Sequence, residues 1–335
     1  MEIKNNISLK SYNTFGVDVN AKKMVEVNHL LELQEVLVAN TEPLLILGGG
    51  SNMLFTKDFE GLVIKNNLKG IAVVKEDESE VYLKVGAGEN WHQFVMYCID
   101  KGYVGVENLS LIPGNVGASP MQNIGAYGVE VKNVITEVEA FDLRNYSVKI
   151  FSNFECNFGY RTSIFKTSEK GNYFITSVTY KLSKISNLNT SYGAIEDELN
   201  RLGVENPSIK DVSNAVINIR SSKLPDPREI GNAGSFFKNP VVSVKVKNKI
   251  LENYQDAPYY PQLNGSFKMA AGWLIEKCGW KGKRIDNYGI HEKQALVLVN
   301  YGGAKGIDIF NLSEEIINSV KNTFDIQLER EVNIV

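Results

Sequence analysis

One stretch of this sequence constrains its fold more than any other: the seventeen residues from Ile112 to Gly128, IPGNVGASPMQNIGAYG. They include four glycines and two prolines among amide and hydroxyl side chains. Proline lacks a backbone donor and glycine weakens regular structure, so neither a continuous helix nor a central strand fits here. A long ordered loop inside a compact domain is usually functional, and a purely structural Ω-loop is the alternative.

A second glycine-rich segment follows a predicted buried strand. Residues 44–47 are Leu-Leu-Ile-Leu, and directly after them come Gly48, Gly49, Gly50, Ser51 and Asn52. Glycines admit positive φ and allow a ligand to approach the backbone, and successive N–H groups form an anion-binding concavity suited to pyrophosphate. The segment is neither GxGxxG nor a Walker loop. From its residues alone, a simple tight turn is an equally good interpretation.

Composition narrows the class of protein. A chain of 335 residues predicts two or three domains. The formal net charge of −3 provides no basic field for nucleic acid, so a small-molecule partner is expected. The three cysteines and three histidines show no zinc-type spacing, which predicts reduced thiols and no metal site. No apolar run has the length of a signal peptide or of a membrane span, so the sequence predicts a cytoplasmic protein.

Hydrophobic periodicity predicts an α/β segment followed by α+β segments. Strands are predicted at residues 21–27, 43–47, 61–64, 80–86, 134–142, 147–152, 173–182, 294–300 and 328–334. Helices are predicted near residues 29–39, 91–101, 194–202, 211–223, 269–278 and 308–324. Residues 183–190 are polar and predict a connection.

Four sequence blocks occur in a characteristic order: GGGSN after a strand, IPGNVGASPMQNIGAYG, FGYRTSIF and GNAGSFFKNP. With these blocks the chain resembles the UDP-N-acetylenolpyruvoylglucosamine reductase (MurB) family along its whole length. The glycine loops alone point only to the wider group of FAD-binding folds shared with many oxidases. The GNAGSFFKNP block and the terminal glutamate are more specific. Tyr192, in a Thr-Ser-Tyr-Gly segment, is similar to the loop tyrosine of the type I subclass.

The resemblance implies a fold class that combines α/β and α+β regions: an FAD-binding fold of the PCMH/MurB type with two subdomains, plus a C-terminal α+β substrate-binding domain. The FAD-binding region is expected over residues 1–205, with subdomains of about 1–67 and 68–205. The substrate-binding domain is expected over 206–325, and residues 326–335 are expected to return to the active site as a strand.

The resemblance also implies that FAD is bound without a covalent link, and neither glycine loop contains a histidine or cysteine that could anchor it. Ser119 departs from the alanine or glycine usual in the family, yet its hydroxyl could still donate to a phosphate. The residues expected to contact FAD all lie in the two glycine loops: Gly48, Gly49, Gly50, Ser51, Asn52, Pro113, Gly114, Gly117, Ser119, Gln122, Asn123, Ile124, Gly125, Ala126 and Tyr127.

The implied reaction is the NADPH-dependent reduction of UDP-N-acetylglucosamine enolpyruvate to UDP-N-acetylmuramate in peptidoglycan precursor synthesis. The expected partners are this substrate and NADPH, with no nucleic acid or membrane partner, and the chain is expected to be a monomer. Addition of hydride to an electron-rich enolpyruvyl double bond requires that the neighbouring carboxylate be polarised. An acid must then protonate the adjacent carbon.

Three residues match the family positions that carry this chemistry. Arg161 corresponds to the arginine that holds the carboxylate, a role that suits a planar guanidinium. Ser235 corresponds to the proton donor. Glu331 corresponds to the terminal glutamate that helps to stabilise the intermediate, and a protonated Glu331 is a hypothesis because burial beside an anion raises a carboxyl pKa. Without the resemblance, each would be interpreted as an ordinary surface, turn or strand residue.

Further matches concern the substrate. Tyr160, Tyr192, Lys223 and Asn239 correspond to positions that contact the UDP-sugar, although Tyr192 could equally be a structural aromatic residue. Two other functions stay open. A flavin oxidase would use the same fold, and absent covalent anchors together with the GNAGSFFKNP block argue against it. A non-catalytic sensor of flavin or UDP-sugar would need no proton donor.

Overall fold

The structure, a computed structural model, describes residues 2–335. Seven α-helices lie within these residues: α1 (Leu30–Ala39), α2 (Trp91–Asp100), α3 (Gly193–Arg201), α4 (Ile209–Lys223), α5 (Val244–Asn253), α6 (Ala271–Lys277) and α7 (Gly306–Phe324). Across the described residues, none of these helices combines the length and the apolar character that crossing a membrane requires.

The strands of the described residues are mostly short. They are β1 (Lys4–Ser8), β2 (Asn20–Val27), β3 (Leu44–Leu47), β4 (Met53–Leu54), β5 (Phe59–Asn66), β6 (Ile71–Glu76), β7 (Glu80–Gly86), β8 (Gly125–Ala126), β9 (Val129–Glu130), β10 (Ile135–Asp142), β11 (Ser147–Ser152), β12 (Tyr173–Ser183), β13 (Gly231–Asn232), β14 (Val241–Val242), β15 (Tyr259–Pro261), β16 (Phe267–Met269), β17 (Arg284–Ile285), β18 (Tyr288–Ile290), β19 (Leu298–Asn300) and β20 (Asn333–Ile334).

The chain forms two compact units, each assembled from separate stretches of sequence. The first unit holds the described residues through Ile7, then Ala21–Gly49 and Glu60–Ser222. The second holds Ser8–Asn20, Gly50–Phe59 and Lys223–Val335. The domain limits drawn from the sequence, 1–205, 206–325 and 326–335, stay a prediction about functional domains.

The first unit begins with a four-stranded sheet in the order β1-β2-β5-β3. β3 pairs in parallel with β5, with Leu44 opposite Leu62. α1 covers this sheet and buries Leu33 and Val36, which belong to one hydrophobic cluster with Val25 of β2. The first glycine-rich segment therefore starts at the carboxyl end of a parallel strand, where α/β folds commonly bind ligands.

A five-stranded antiparallel sheet forms the rest of the first unit's framework, in the order β11-β10-β12-β7-β6. α2 begins after Asn90, whose side chain accepts a hydrogen bond from the Gln93 N–H and so caps the helix. Trp91, Phe94 and Cys98 repeat at helical spacing, and all three are buried in the cluster that also contains the inward side chains of this sheet.

α3 and α4 pack on each other at the end of the first unit. Ile195 and Leu199 of α3 share a hydrophobic cluster with Val212 and Val216 of α4. This contact explains why the compact first unit continues to Ser222, beyond the predicted domain limit at residue 205.

The second unit contains a four-stranded sheet in the order β13-β19-β18-β17 and a three-stranded sheet in the order β14-β16-β15. α7 buries Ile309, Leu312 and Ile316 along one face. α5 and the three-stranded sheet were not predicted from the sequence. α5 begins after Ser243, whose hydroxyl accepts from the Val246 N–H, but its Val-Lys-Val-Lys start alternates like a strand.

The predicted terminal strand over residues 328–334 is wrong in its extent. Only Asn333–Ile334 forms a regular strand, parallel to β4, and Arg330 forms one isolated bridge with Phe237. The segment changes its pairing partner between these two places, so its ladder is interrupted. The strand predicted over 294–300 is also shorter, because Gln294 and Val297 form a turn that precedes β19.

The two helices that begin with glycine allow a matched test of packing. In Gly306→Ala, the new methyl group would overlap the Phe55 carbonyl oxygen, so we expect a loss of about 1–3 kcal/mol in the free energy of unfolding. Gly193 has no neighbouring atom within 4 Å, so Gly193→Ala should be neutral or stabilising by about 0.4–1 kcal/mol. Urea unfolding of both variants checks this, and equal stability of the two would contradict it.

Candidate functional site

Within the first unit, the start of the first glycine-rich segment, Gly48 and Gly49, lies beside the second glycine-rich loop. A methyl group built on Gly49 would come within 2.7 Å of the Gly114 Cα, so no side chain fits at this position. Gly114 itself has a φ of 110°, a conformation that only glycine adopts without strain. Next to it, the Asn115 side chain donates to the Gly88 carbonyl at 3.2 Å. Gly48 and Gly49 therefore form one surface with Gly114 and Asn115 of the second loop.

The second loop is shaped by side chains that turn toward the protein. Asn123, at a φ of 47°, donates from its amide to Glu130 at 3.1 Å and to the Gly159 carbonyl at 3.0 Å. Its amide oxygen accepts from the Lys132 N–H at 3.1 Å. This side chain is fully buried and its hydrogen bonds are satisfied. Asn123 therefore fixes the loop, and its predicted contact with a cofactor would have to involve the backbone.

Ser119 occupies a similar position. Its hydroxyl lies 2.7 Å from the hydroxyl of Tyr180, in the interior of the first unit. Burial raises the pKa of Tyr180 far above the usual value, so this pair is uncharged. The Ser119 side chain thus points into the core, and only its backbone is left for the predicted cofactor contact.

Arg161 is held in a strained turn of the first unit. Gly159 and Thr162 pair across the turn, with the Gly159 N–H donating to the Thr162 carbonyl at 3.0 Å. Arg161 has a φ of 54°, in the left-handed region that disfavours side chains with a Cβ. Its Nη2 donates to the Gly125 carbonyl at 2.5 Å, so the guanidinium lies against the second glycine loop. Strain at a non-glycine residue is a physical indication of function.

The rings near this loop form an aromatic pair. Tyr127 meets Tyr192 edge-on, with 5.4 Å between the ring centroids. Tyr160 lies beside Arg161, with 5.5 Å between its ring centroid and the guanidinium carbon. Three of the predicted site tyrosines are therefore found in the first unit, two of them in direct contact.

Arg220 of α4 was not predicted. Its Nε is buried and has no hydrogen-bond partner among residues 2–335, and its guanidinium interacts with Tyr127. Burial lowers the pKa of Arg220 and raises that of Tyr127. A signal was present in the sequence, because Arg220 follows Val212 and Val216 at intervals of four along the apolar face of the helix.

The serine loop of the second unit, residues 231–235, packs against residues 13–16. Gly231 lies so close to the Phe15 carbonyl that a methyl group would overlap it. The Asn232 N–H donates to the Thr14 carbonyl at 3.0 Å. The Asn232 amide also donates to the carbonyls of Pro225 and Ile230, and its oxygen accepts from the Gly234 N–H. These contacts fix the backbone that leads to Ser235.

On its other side, Ser235 is followed by two buried rings. Phe236 and Phe237 are almost fully buried, and the Phe236 N–H donates to the Leu296 carbonyl at 2.8 Å. Gly234, with a φ of 68°, provides the turn that brings the chain to Ser235. Ser235 therefore lies between a segment fixed by hydrogen bonds, residues 231–234, and two buried rings, Phe236 and Phe237.

Glu331 lies next to this loop. Its N–H donates to the Phe236 carbonyl at 2.8 Å, and its carbonyl accepts from the Asn52 side chain at 3.2 Å. The structure thus brings together Ser235, Glu331 and the Asn52 end of the first glycine segment. Glu329, which lies on the same face of an extended segment, forms an ion pair with Lys238 at 3.0 Å and is largely exposed.

The remaining predicted substrate residues are placed as follows. The Asn239 side-chain oxygen accepts from the Ala271 N–H at 2.9 Å and so caps the start of α6. Lys223 is exposed at the end of α4 and belongs to the second unit. Within residues 2–335, no group of three histidine, cysteine or acidic side chains is arranged to hold a metal ion. Cys156 is buried, which raises the pKa of its thiol to about 12.

Comparisons with known proteins cover the whole chain. A family model described as the UDP-N-acetylenolpyruvoylglucosamine reductase C-terminal domain matches residues 226–335, and one described as an FAD binding domain matches residues 21–145. A UDP-N-acetylenolpyruvoylglucosamine reductase from Flavobacterium johnsoniae is 50% identical over 337 residues, with 100% of both chains covered. Another, from Amoebophilus asiaticus, is 48% identical over 340 residues, again with 100% of both chains covered.

A crystal structure of the UDP-N-acetylenolpyruvylglucosamine reductase (MurB) from Thermus caldophilus is similar in fold. The TM-score is 0.69 at 24% identity, with 100% of this chain and 99% of that chain covered. Together with the two family models, this similarity confirms the predicted fold class, an FAD-binding region followed by a C-terminal domain of the reductase type.

The strain at Arg161 can be measured with two variants that both lack the guanidinium. In Arg161→Ala the Cβ stays in the left-handed region, whereas Arg161→Gly removes it. We expect the glycine variant to be more stable by about 1 kcal/mol, which is the typical cost of this conformation. The free energy of unfolding of both variants checks the prediction. An alanine variant as stable as the glycine variant would show that the turn is unstrained.

Proposed function

Because this chain belongs to the UDP-N-acetylenolpyruvoylglucosamine reductase family, we propose that Arg161, Ser235 and Glu331 carry the chemistry of that reductase. The chain reduces UDP-N-acetylglucosamine enolpyruvate to UDP-N-acetylmuramate, with NADPH as the electron donor and FAD as the non-covalent cofactor, in peptidoglycan precursor synthesis. One observation carries the proposal for Ser235 and Glu331: the Glu331 N–H is bonded to the carbonyl of Phe236, the residue that follows Ser235.

The glycine loops fit the phosphate-bearing part of FAD. Gly49 and Gly114 bring the backbones of the two loops together, and the side chain nearest to Gly49 is the uncharged amide of Asn115. Uncharged backbone donors of this kind suit a pyrophosphate. We propose that the loop residues named from the sequence hold FAD. Ser119 and Asn123, whose side chains point into the protein, would contact FAD through their backbone.

Bound FAD supplies the two-electron transfer that links NADPH oxidation to reduction of the enolpyruvyl double bond. Addition of hydride at C3 of the enolpyruvyl group leaves negative charge at C2. The chain's own residues must stabilise this charge. That charge is tolerable only when it spreads into the neighbouring carboxylate and the carboxylate is held by a cation or a proton donor.

Arg161 is proposed to bind this carboxylate. A planar guanidinium can donate two parallel hydrogen bonds to a carboxylate. The strained turn and the contact with the Gly125 carbonyl support the proposal, since they restrict the guanidinium to few orientations. A group fixed before the reaction needs little reorganisation when charge develops.

Ser235 is proposed to donate the proton that C2 receives. A hydroxyl is a weak acid, so the transfer requires a strongly basic enolate and close positioning. The support comes from the loop: Asn232 fixes it on one side and the buried Phe236 fixes it on the other. Each turnover consumes one NADPH and one proton, and Ser235 regains its proton before the next substrate reacts.

Glu331 is proposed to stabilise the enolate through its carboxyl group. A protonated carboxyl could donate a hydrogen bond to the substrate, and proximity to the substrate carboxylate would favour the protonated form. The surface ion pair between Glu329 and Lys238 supports the choice of Glu331 over Glu329, because it commits the other carboxylate to solvent.

Substrate contacts are proposed for Tyr160, Tyr192, Lys223 and Asn239, as the family pattern implies. Arg220 joins them as a candidate for an anionic group of cofactor or substrate, because a buried guanidinium without a carboxylate partner is costly. We further propose that the chain acts in the cytoplasm as a monomer, without nucleic acid or membrane partners, which agrees with the net charge of −3.

The glycine loops generate a prediction about cofactor binding. Gly49→Ala forces the loops apart, because the methyl group would meet the Gly114 Cα at 2.7 Å. We expect FAD affinity to fall by at least about tenfold, since 1.4 kcal/mol suffices for this change and overpacking costs about 1–3 kcal/mol. Gly193→Ala is the control, because its methyl group would meet no atom within 4 Å and Gly193 is not among the residues expected to contact FAD. Fluorescence titration with FAD measures both, and an unchanged affinity in Gly49→Ala would contradict the prediction.

The serine proposal is tested with anaerobic stopped-flow absorbance at the flavin band. In the wild type, NADPH bleaches the band and UDP-N-acetylglucosamine enolpyruvate restores it. In Ser235→Ala we expect bleaching at the normal rate and recovery slowed by about 10²–10⁴-fold, the usual contribution of a positioned proton donor.

Two results of this experiment would overturn the proposals. Recovery at the wild-type rate in Ser235→Ala would exclude Ser235 as the proton donor. Bleaching of the wild-type band without recovery on adding the enolpyruvyl sugar would instead indicate a flavin reductase or an oxidase.

A further inference from the structure

Arg330 lies between Glu329 and Glu331 in the terminal segment, and its side chain contacts α7. Its Nε donates to the Ser313 hydroxyl of α7 at 2.8 Å, and its Nη2 lies 2.7 Å from a carboxylate oxygen of Glu314. The guanidinium carbon is 4.7 Å from the centroid of the Phe310 ring. The Arg330 side chain therefore contacts three residues of α7 that lie within little more than one helical turn.

The backbone of the terminal segment is held by hydrogen bonds at the same place. The Glu331 N–H donates to Phe236, the Glu331 carbonyl accepts from Asn52, and the Glu329 carbonyl accepts from the Lys238 N–H. These bonds fix the segment along its length. Such bonds tolerate a range of angles at the carbonyl oxygen, so they restrict rotation of the segment about its own axis less than they restrict its register. A small roll displaces the end of a long side chain such as glutamate by much more than it displaces the backbone.

Successive side chains of an extended segment point to opposite sides. When the Arg330 side chain is fastened to α7, the direction of the Glu331 side chain is fixed as well. We propose that Arg330 is a positioning residue that sets the orientation of the Glu331 carboxyl group through its anchorage on α7. This inference rests on the proposed role of Glu331 and adds the device that orients it.

The neighbouring ion pair cannot replace this anchor. In the Glu329–Lys238 pair the Glu329 side chain is 73% exposed, whereas the Glu314 side chain that meets Arg330 is 45% exposed and Arg330 itself is 20% exposed. Exposed pairs are weak and screened by salt. Arg330 adds to its ion pair a hydrogen bond to the buried Ser313 hydroxyl and a cation–π contact with Phe310.

The test uses the full-length holoenzyme and the same anaerobic assay. In Arg330→Met, which keeps an apolar stem, we expect the substrate-driven recovery of the flavin band to slow by about 10- to 100-fold, as small misplacements of reacting groups do. Bleaching by NADPH and FAD content should not change, since Glu331 acts only on the enolpyruvyl sugar. Arg330→Lys keeps the charge and should recover part of the rate. Lys321→Met, which removes the ion pair with Asp325 on the same helix, is the control and should match the wild type.

Glu331→Gln separates this inference from the role on which it rests. A wild-type recovery rate in Glu331→Gln would overturn the role of Glu331 itself. If Glu331→Gln is slow and Arg330→Met is normal, only the positioning role is overturned. In the double variant we expect the second substitution to cost much less than it does alone, because both act on one group. Fully multiplicative effects would show that Arg330 acts independently of Glu331 and would also overturn the proposal.

Ser313→Ala covers the case in which Arg330→Met does not fold. It removes the acceptor of the Arg330 Nε, together with the hydrogen bond that the Ser313 hydroxyl donates to the Phe310 carbonyl, and leaves the arginine beside the Phe310 ring. We expect a fall of several-fold in the recovery rate with unchanged bleaching, since one of three contacts of the anchor is lost. A recovery rate equal to that of the wild type would count against the anchor.

Discussion

The hydrogen bond between the Glu331 N–H and the Phe236 carbonyl, at 2.8 Å, is the constraint on which the second unit's part of the site depends. It joins the terminal segment to the residue that follows Ser235, so two groups far apart in sequence occupy one short antiparallel pair. The surrounding structure protects this bond: Phe236 and Phe237 are buried, and the Phe236 N–H is bonded to Leu296. Buried backbone groups must be paired, so a displaced terminal segment would leave the Phe236 carbonyl unsatisfied. The placement of Glu331 next to Ser235 therefore depends on the packing of Phe236.

The first unit builds its part of the site by a different means. Two loops approach each other because Gly49 and Gly114 have no side chains, and a third element, the Arg161 turn, places a guanidinium on the second loop at the cost of left-handed backbone geometry. Asn123 and Tyr127 of the second loop share this geometry, which is uncommon for residues other than glycine. Local violations of this kind are expected at functional sites, where the remainder of the fold compensates for them.

Much of the framework could be predicted from periodicity. The strand over Ser147–Ser152 has the predicted limits, and the predicted helix at 308–324 is extended by only two residues to become α7. The failures have physical causes. α5 begins with an alternating pattern and depends on a cap, and the terminal strand is interrupted because its pairing partner changes. The glycine loops could be recognised locally, but their mutual contact could not. The sequence shows that Arg220 lies on the apolar face of its helix. Only the structure shows that its Nε is buried and has no hydrogen-bond partner within the described residues.

The segment Ser8–Asn20 belongs to the second unit, and its Thr14 and Phe15 carbonyls support the serine loop at Gly231 and Asn232. This has a consequence for biosynthesis. A ribosome delivers Thr14 early and Asn232 late, so at about 5–20 residues per second the early segment waits on the order of ten seconds or more for its partner. During that time Phe15 lacks Phe236, the ring against which it packs edge-on in the finished protein. The loop also bonds to Leu296 and Glu331, so it is fully assembled only after Glu331 has been added to the chain.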